Sequence, residues 1–123
     1  MGKICRNGDI FIARLPQNTK GSIQNGERPV LVVSNDMANR YSPVINILPI
    51  TSNCTREELP VHVMIRGFGL WKESLVMAEQ ITSLDKWRLE EKIGNIRDTK
   101  FERQVKEAMG IQLNLLERNG YIT

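Results

Sequence analysis

The sequence predicts a mainly β protein with added α-helices: a small antiparallel sheet that curls or closes, followed by one terminal helix. Two observations carry this. Five short runs rich in β-branched residues ("IFIAR", "PVLVV", "VINILPI", "PVHVMI" and "SLVMAEQI") are bounded by Pro, Gly, Asn or Ser. One later segment instead repeats its apolar residues at helical spacing.

Gly8-Asp9 opens the first run, whose alternation sets Ile10 and Ile12 on one face and Phe11 and Ala13 on the other, with Pro16 closing it. The other runs span 29 to 33, 44 to 50, 60 to 65 and 74 to 81. Closely spaced strands of this kind build small curled sheets and barrels. Ser34-Asn35-Asp36 caps a short helical turn through Arg40, and "SLDKWRL" from Ser83 reads as a second, with Trp87 in the core. Thr99-x-x-Glu102 is a capping-box pattern ahead of Phe101, Val105, Ala108, Met109, Ile111, Leu115 and Leu116, the apolar stripe of a helix that packs on the sheet.

The 123 residues are ordinary for one domain, with 41% hydrophobic and 25% charged side chains, which argues against disorder. No run approaches the ~18 apolar residues of a membrane span, and "MGKICRNGDIF" lacks a signal-peptide core, so the expectation is a cytoplasmic protein with no membrane partner. Cys5 and Cys54 are isolated and the chain has one histidine, a poor basis for a zinc site; both cysteines read as small packing side chains. Residues 1 to 50 hold six basic and three acidic side chains and the rest 11 of each, so the whole net charge of +3 sits in the first half. That mildly basic half suits either a polyanionic partner or ordinary solvation.

Arg28 stands directly before Pro29 at the mouth of an apolar strand. If 29 to 33 and 45 to 50 pair antiparallel in symmetric register across the 34 to 43 connection, Arg28 lies beside Thr51. A guanidinium fork and a hydroxyl then share one sheet edge, a combination suited to phosphate oxygens. Pro29 biases Arg28 toward the extended conformation and helps fix where its side chain leaves the strand. The bland reading is an ion pair from Arg28 to Glu27 or Asp36. The connection from Leu15 to Glu27 is too long for a tight hairpin and is rich in Gly, Asn and Gln, with Lys20 and Ser22. Its side chains suit the edges of unstacked bases, and Gly21 and Gly26 permit close backbone approach. It has no GxxxxGK[ST] and leads into no helix, so it is not a P-loop.

Taken in order, "GDIF", "GSIQNGERPVLVVSND", "NRYSP", "LPIT", "LPVHV" and "EQITSLDKWRL" resemble the MazF/PemK toxins, endoribonucleases of bacterial toxin–antitoxin modules. The resemblance covers about residues 7 to 117 and rests on the order and spacing of six motifs. It implies a single toxin domain over residues 1–123, an SH3-like β-barrel with a C-terminal helix, and a homodimer. It also implies cofactor-independent and metal-independent cleavage of single-stranded RNA (mRNA), and neutralisation by a MazE-like antitoxin. The family's catalytic arginine falls on Arg28 and its catalytic Ser/Thr on Thr51. The implied reaction leaves a 2′,3′-cyclic phosphate and a 5′-hydroxyl, halting translation and growth.

Ser22, Gln24, Asn25 and Gln80 are the candidate RNA contacts. His62, inside "PVHVMI", reads as a structural or surface histidine rather than a catalytic one. Trp71 stands after "RGFGL" and either stacks on a base or packs locally. At Ile23 and at 25 to 27 the chain departs from the family's commoner loop pattern, so no particular cleavage sequence is implied. Two other classes share the fold. A CcdB-like gyrase-binding toxin has no need of Arg28 and Thr51 together, and a non-catalytic barrel would serve as a binding module.

Overall fold

The computed structural model describes residues 3–17, 21, 23–53 and 59–116. In chain order the elements are β1 (Asp9–Leu15), β2 (Gly26–Val32), α1 (Asp36–Tyr41), β3 (Val44–Thr51), β4 (His62–Ile65), β5 (Ser74–Met77), β6 (Thr82–Asp85), β7 (Leu89–Asn95) and α2 (Lys100–Gln112). Turns of 3₁₀ helix occupy Ala78–Gln80 and Lys86–Arg88. The strands pair antiparallel in the order β4-β5-β3-β2-β1-β7, with β6 also on β3. Among the described residues no ladder joins β4 to β7, so the sheet is barrel-like without being closed.

Alternation along the strands sorts the apolar side chains into two cores. Ile10, Leu31, Leu48 and Ile50 face one cluster, which β4, β5 and the helical residues Val105, Ala108 and Ile111 complete. Phe11, Ala13, Val30, Val32, Ile45 and Ile47 face the other, together with Leu84 and Leu89. β1 to β3 are thus buried on both faces, which is why their runs are so nearly continuous in apolar residues.

β3 organises the sheet. β2 pairs with its middle at Ile47 to Pro49, β6 with Val44 to Ile47, and β5 with Ile50 and Thr51. The run from 74 to 81, expected as one strand, is broken at Ala78–Gln80. There Ala78 N–H turns to the Val61 carbonyl and Ile81 N–H closes back on Ala78. Glu79 and Gln80, poor strand formers, use the turn to reach partners off the sheet.

The expected turn from Ser83 is β6 followed by the second 3₁₀ turn, and Trp87 is not in the core. It is 63% exposed, with the Arg88 guanidinium 4.5 Å above its ring. β7 was not among the expected strands, because "LEEKIGN" is charged and lacks alternation. It is an edge strand on β1 whose pairing is interrupted by two bulges, and its charges face solvent. Gly94 is required there, since a Cβ would collide with the Phe68 carbonyl.

Both helices begin as expected. Asn35 accepts from Ala38 N–H at 2.8 Å, and Thr99 accepts from Phe101 N–H at 3.2 Å. Glu102 reaches back to the amide of Asp98 rather than that of Thr99. The apolar stripe overran the end of α2. Asn114 adopts φ 60°, and Leu115 N–H bonds Gly110 while Asn114 N–H bonds Ile111, a Schellman termination that leaves Leu115 and Leu116 outside the helix.

Candidate active site

The ladder between β2 and β3 registers Val30 with Pro49, Leu31 with Leu48 and Val32 with Ile47. Continued two steps past the last paired residues, this register sets Thr51 level with Arg28, as symmetry predicts. Arg28 shares a strand face with Val30 and Val32, and Thr51 shares one with Ile45 and Ile47; all four belong to the same core cluster. Both candidate side chains therefore leave the sheet on one face. They meet at a cavity of about 350 Å³ that Gln24, Asn25 and Asn53 also line, with Gly21 and Ile23 at its loop side.

Arg28 is half-buried, and its Nε donates to the Asn25 carbonyl at 2.8 Å. The salt-bridge alternative is not what is found. Glu27 pairs with Arg14 at 3.4 Å and Asp36 with Arg97 at 2.9 Å, and no carboxylate among the described residues pairs with Arg28. A hydrogen bond from Asn7 N–H, together with Arg97, holds the Asp36 carboxyl well below its ordinary range, at about 2.

Thr51 is 3% exposed, and its Oγ1 accepts from Asn53 N–H at 3.1 Å. That bond leaves the hydroxyl hydrogen to be donated elsewhere. Gly26, at φ 76°, makes the bend from the loop into β2. Arg28 carries the only formal charge among the cavity-lining residues described, and its neighbours there are neutral, a combination suited to an anion.

Of the residues expected from the sequence, Arg28, Thr51, Gln24 and Asn25 are together at this cavity. Gln80 is bonded to the loop instead of lining the cavity: its Oε1 accepts from Gln24 N–H at 2.8 Å. Ser22 and Cys54 lie outside the described residues. Asn53 was missed because the reading stopped at the strand end; a polar residue two positions past a strand-terminal Thr is the signal that would have found it. The Oε1 of Gln24 is buried and has no hydrogen-bond partner among the described residues.

His62 is structural, its side chain 1% exposed and its Nε2 2.7 Å from Glu79 Oε2. It borders a second cavity of about 390 Å³, shared with Lys100, Phe101 and Gln104 of α2. Trp71 is 93% exposed, which removes the local-packing reading. Cys5 is buried, and burial pushes its thiol pKa up, as for an inert packing side chain. Among the described residues no three His, Cys, Asp or Glu group as metal ligands would, and no helix is long and apolar enough to cross a membrane.

A family model described as the PemK-like, MazF-like toxin of type II toxin–antitoxin systems matches residues 6–113. The chain belongs to this family. Endoribonuclease EndoA of Bacillus subtilis (strain 168) is 39% identical over 116 residues, spanning 93% of this chain and 98% of the relative. Among solved structures, Mycobacterium tuberculosis toxin MazF-mt6 superposes with a TM-score of 0.73 at 24% identity, covering 89% of this chain and 99% of that one. A mycobacterial endoribonuclease in complex with its cognate antitoxin gives 0.73 at 20% identity, covering 93% and 99%. At these identities the structural likenesses establish the fold: a mostly β, barrel-like MazF architecture with a C-terminal helix.

Proposed function

We propose that this MazF-like toxin is an endoribonuclease that cuts single-stranded mRNA at short sequence motifs, leaving a 2′,3′-cyclic phosphate and a 5′-hydroxyl and so inhibiting translation and growth. The observation that carries the reading is the pairing of Arg28 and Thr51 on one face of one cavity, level in the β2–β3 register. Family membership and the name of the Bacillus relative support the reaction class.

In this reaction the ribose 2′-hydroxyl attacks the adjacent phosphorus, the P–O5′ bond breaks, and the 5′ oxygen leaves with a proton. Negative charge gathers on the non-bridging oxygens as the phosphorane forms. Arg28 is arranged to meet it: one of its five N–H donors is spent on Asn25, and the two terminal nitrogens keep the fork that grips two oxygens. Thr51, whose oxygen already accepts from Asn53, donates its hydrogen to a phosphate oxygen. A guanidinium has no acceptor nitrogen, so Arg28 acts here as a fixed cation rather than a base. The nucleophile is supplied by the substrate and the charge by Arg28, so the step needs neither a metal nor a cofactor. Ser22, Gln24 and Asn25 of the loop contact the RNA.

The active form is a homodimer, neutralised by a MazE-like antitoxin; a neighbour solved with its cognate antitoxin supports that partner class. Incubating end-labelled RNA with the protein in EDTA tests the reaction. Cleavage to 5′-hydroxyl ends, lost in Arg28→Ala, is the expected result, and RNA left intact by the wild-type protein overturns it.

A further inference from the structure

We propose that Gln80 is a positioning residue for Arg28, acting through the backbone of the loop before β2. The inference rests on Arg28 being the residue that stabilises the reacting phosphate. Gln80 Oε1 accepts from Gln24 N–H at 2.8 Å, across 56 positions of sequence. The carbonyl of the next residue, Asn25, accepts from Arg28 Nε at 2.8 Å. Two residues and the peptide link between them separate the tether from the guanidinium's anchor, so the position of Gln80 is passed to Arg28 over a short stretch of backbone. A backbone N–H only donates, so the Gln80 atom facing it is the carboxamide oxygen; the orientation follows from its partner.

The anchor at the Gln80 end is rigid. Its 3₁₀ turn is closed by Ile81 N–H on Ala78 and bound to the sheet by Ala78 N–H on Val61. The preceding residue, Glu79, is locked 2.7 Å from the buried His62. At the loop end, Gln24 and Asn25 follow a polar connection and precede a glycine in the left-handed region. A loop of that kind samples many conformations unless tied down, and Arg28, bonded to it through Nε, would follow it. Gln80 thus acts as a strut that keeps the guanidinium aimed into the cavity before RNA arrives.

A strut and a base-reading residue give different signatures. Reading a base makes Gln80→Leu raise KM and relax the sequence preference. Positioning lowers kcat, because misplacement of a charge-stabilising group is felt in the transition state. We expect Gln80→Leu to lower kcat by about 10-fold or more, with KM within about 2-fold and the profile of cut sequences unchanged. Gln80→Glu, which retains an acceptor of the same reach, should stay within about 5-fold of wild type. In hydrogen exchange the Gln24 amide should be protected in wild type and in Gln80→Glu and exchange faster in Gln80→Leu.

A wild-type kcat with an altered cut profile, or a Gln24 amide indifferent to Gln80→Leu, overturns the inference. Should the leucine variant fail to fold, Gln80→Met is read by the same exchange measurement, with the same two outcomes. Arg28→Ala is assayed alongside. Wild-type cleavage by that variant would remove the catalytic reading of Arg28 itself, whereas a dead Arg28→Ala beside an unaffected Gln80→Leu removes only the strut.

Discussion

The Nε of Arg28 donates to the carbonyl oxygen of Asn25, three residues earlier, so the guanidinium is anchored at its stem and leaves its terminal nitrogens to the cavity. Lysine preserves the charge but has neither an Nε nor a fork. Arg28→Lys should fold normally and lose on the order of 10²-fold or more in cleavage rate, measured under single-turnover conditions. A loss of only a few fold would mean that charge alone matters at this position and that the bidentate grip does not.

Thr51 tests the second half of the pair. Its hydroxyl accepts from Asn53 N–H while its methyl lies in the buried strand end. Thr51→Val keeps the shape and the strand preference, so stability should stay within about 1.5 kcal/mol while turnover collapses. Thr51→Ser restores the hydroxyl and should recover most of the rate. Urea unfolding beside the cleavage assay separates the two effects; a valine variant that cleaves well but unfolds easily would reassign the hydroxyl to holding Asn53.

The neighbourhood of Arg28 and Thr51 was legible in the sequence because the symmetric register assumed across the 34 to 43 connection is the one that the β2–β3 ladder adopts, and the family resemblance pointed to the same two residues. β7 and the break at Ala78–Gln80 were not legible, for opposite reasons. "LEEKIGN" has charged side chains because an edge strand faces water, which hides its strand character. "SLVMAEQI" reads as one strand because its first five residues are buried, and only the contacts of Glu79 with His62 and of Gln80 with Gln24 decide that the chain must turn. Trp87 was assigned to the core by spacing, yet a 3₁₀ turn presents a different face from an α-helical one.

His62 and Glu79 form a buried couple whose value is structural. The His62 side chain is 1% exposed and its Nδ1 has no hydrogen-bond partner among the described residues, so removing Glu79 leaves both imidazole nitrogens without one. Glu79→Leu should lower stability by about 1–3 kcal/mol, and Glu79→Gln, which still offers a polar atom, by less. The denaturant midpoints of the two variants report this directly. Equal midpoints for both and the wild type would show that the pair contributes nothing net.

Competition is the expected behaviour of RNA and antitoxin. A cavity whose described lining carries its formal charge on Arg28 accepts a phosphate or a carboxylate by the same donors. An acidic antitoxin segment should therefore displace a labelled RNA from a Thr51→Ala protein, with an affinity that falls as salt rises. Simultaneous binding of both, neither weakening the other, would place the antitoxin elsewhere.

Asp36 makes a prediction about acid. Its carboxyl titrates at about 2 in the fold against 3.8 ordinarily, because Asn7 N–H and the Arg97 guanidinium favour the charged form. A folded-state pKa below the unfolded one means that ionised Asp36 stabilises the fold at pH values above the unfolded pKa. That stabilisation is lost as pH falls through the folded value, a window of roughly pH 4 to 2. The side chain is 48% exposed, so solvent screens the pair with Arg97 and the effect is modest. Asp36→Asn keeps an acceptor for Asn7 but carries no charge for Arg97. In urea unfolding the variant should be less stable than wild type at pH 5, and the gap should close by pH 2. A gap that is the same at both pH values would show that the Asp36 charge has no part in holding the turn before α1 against Arg97.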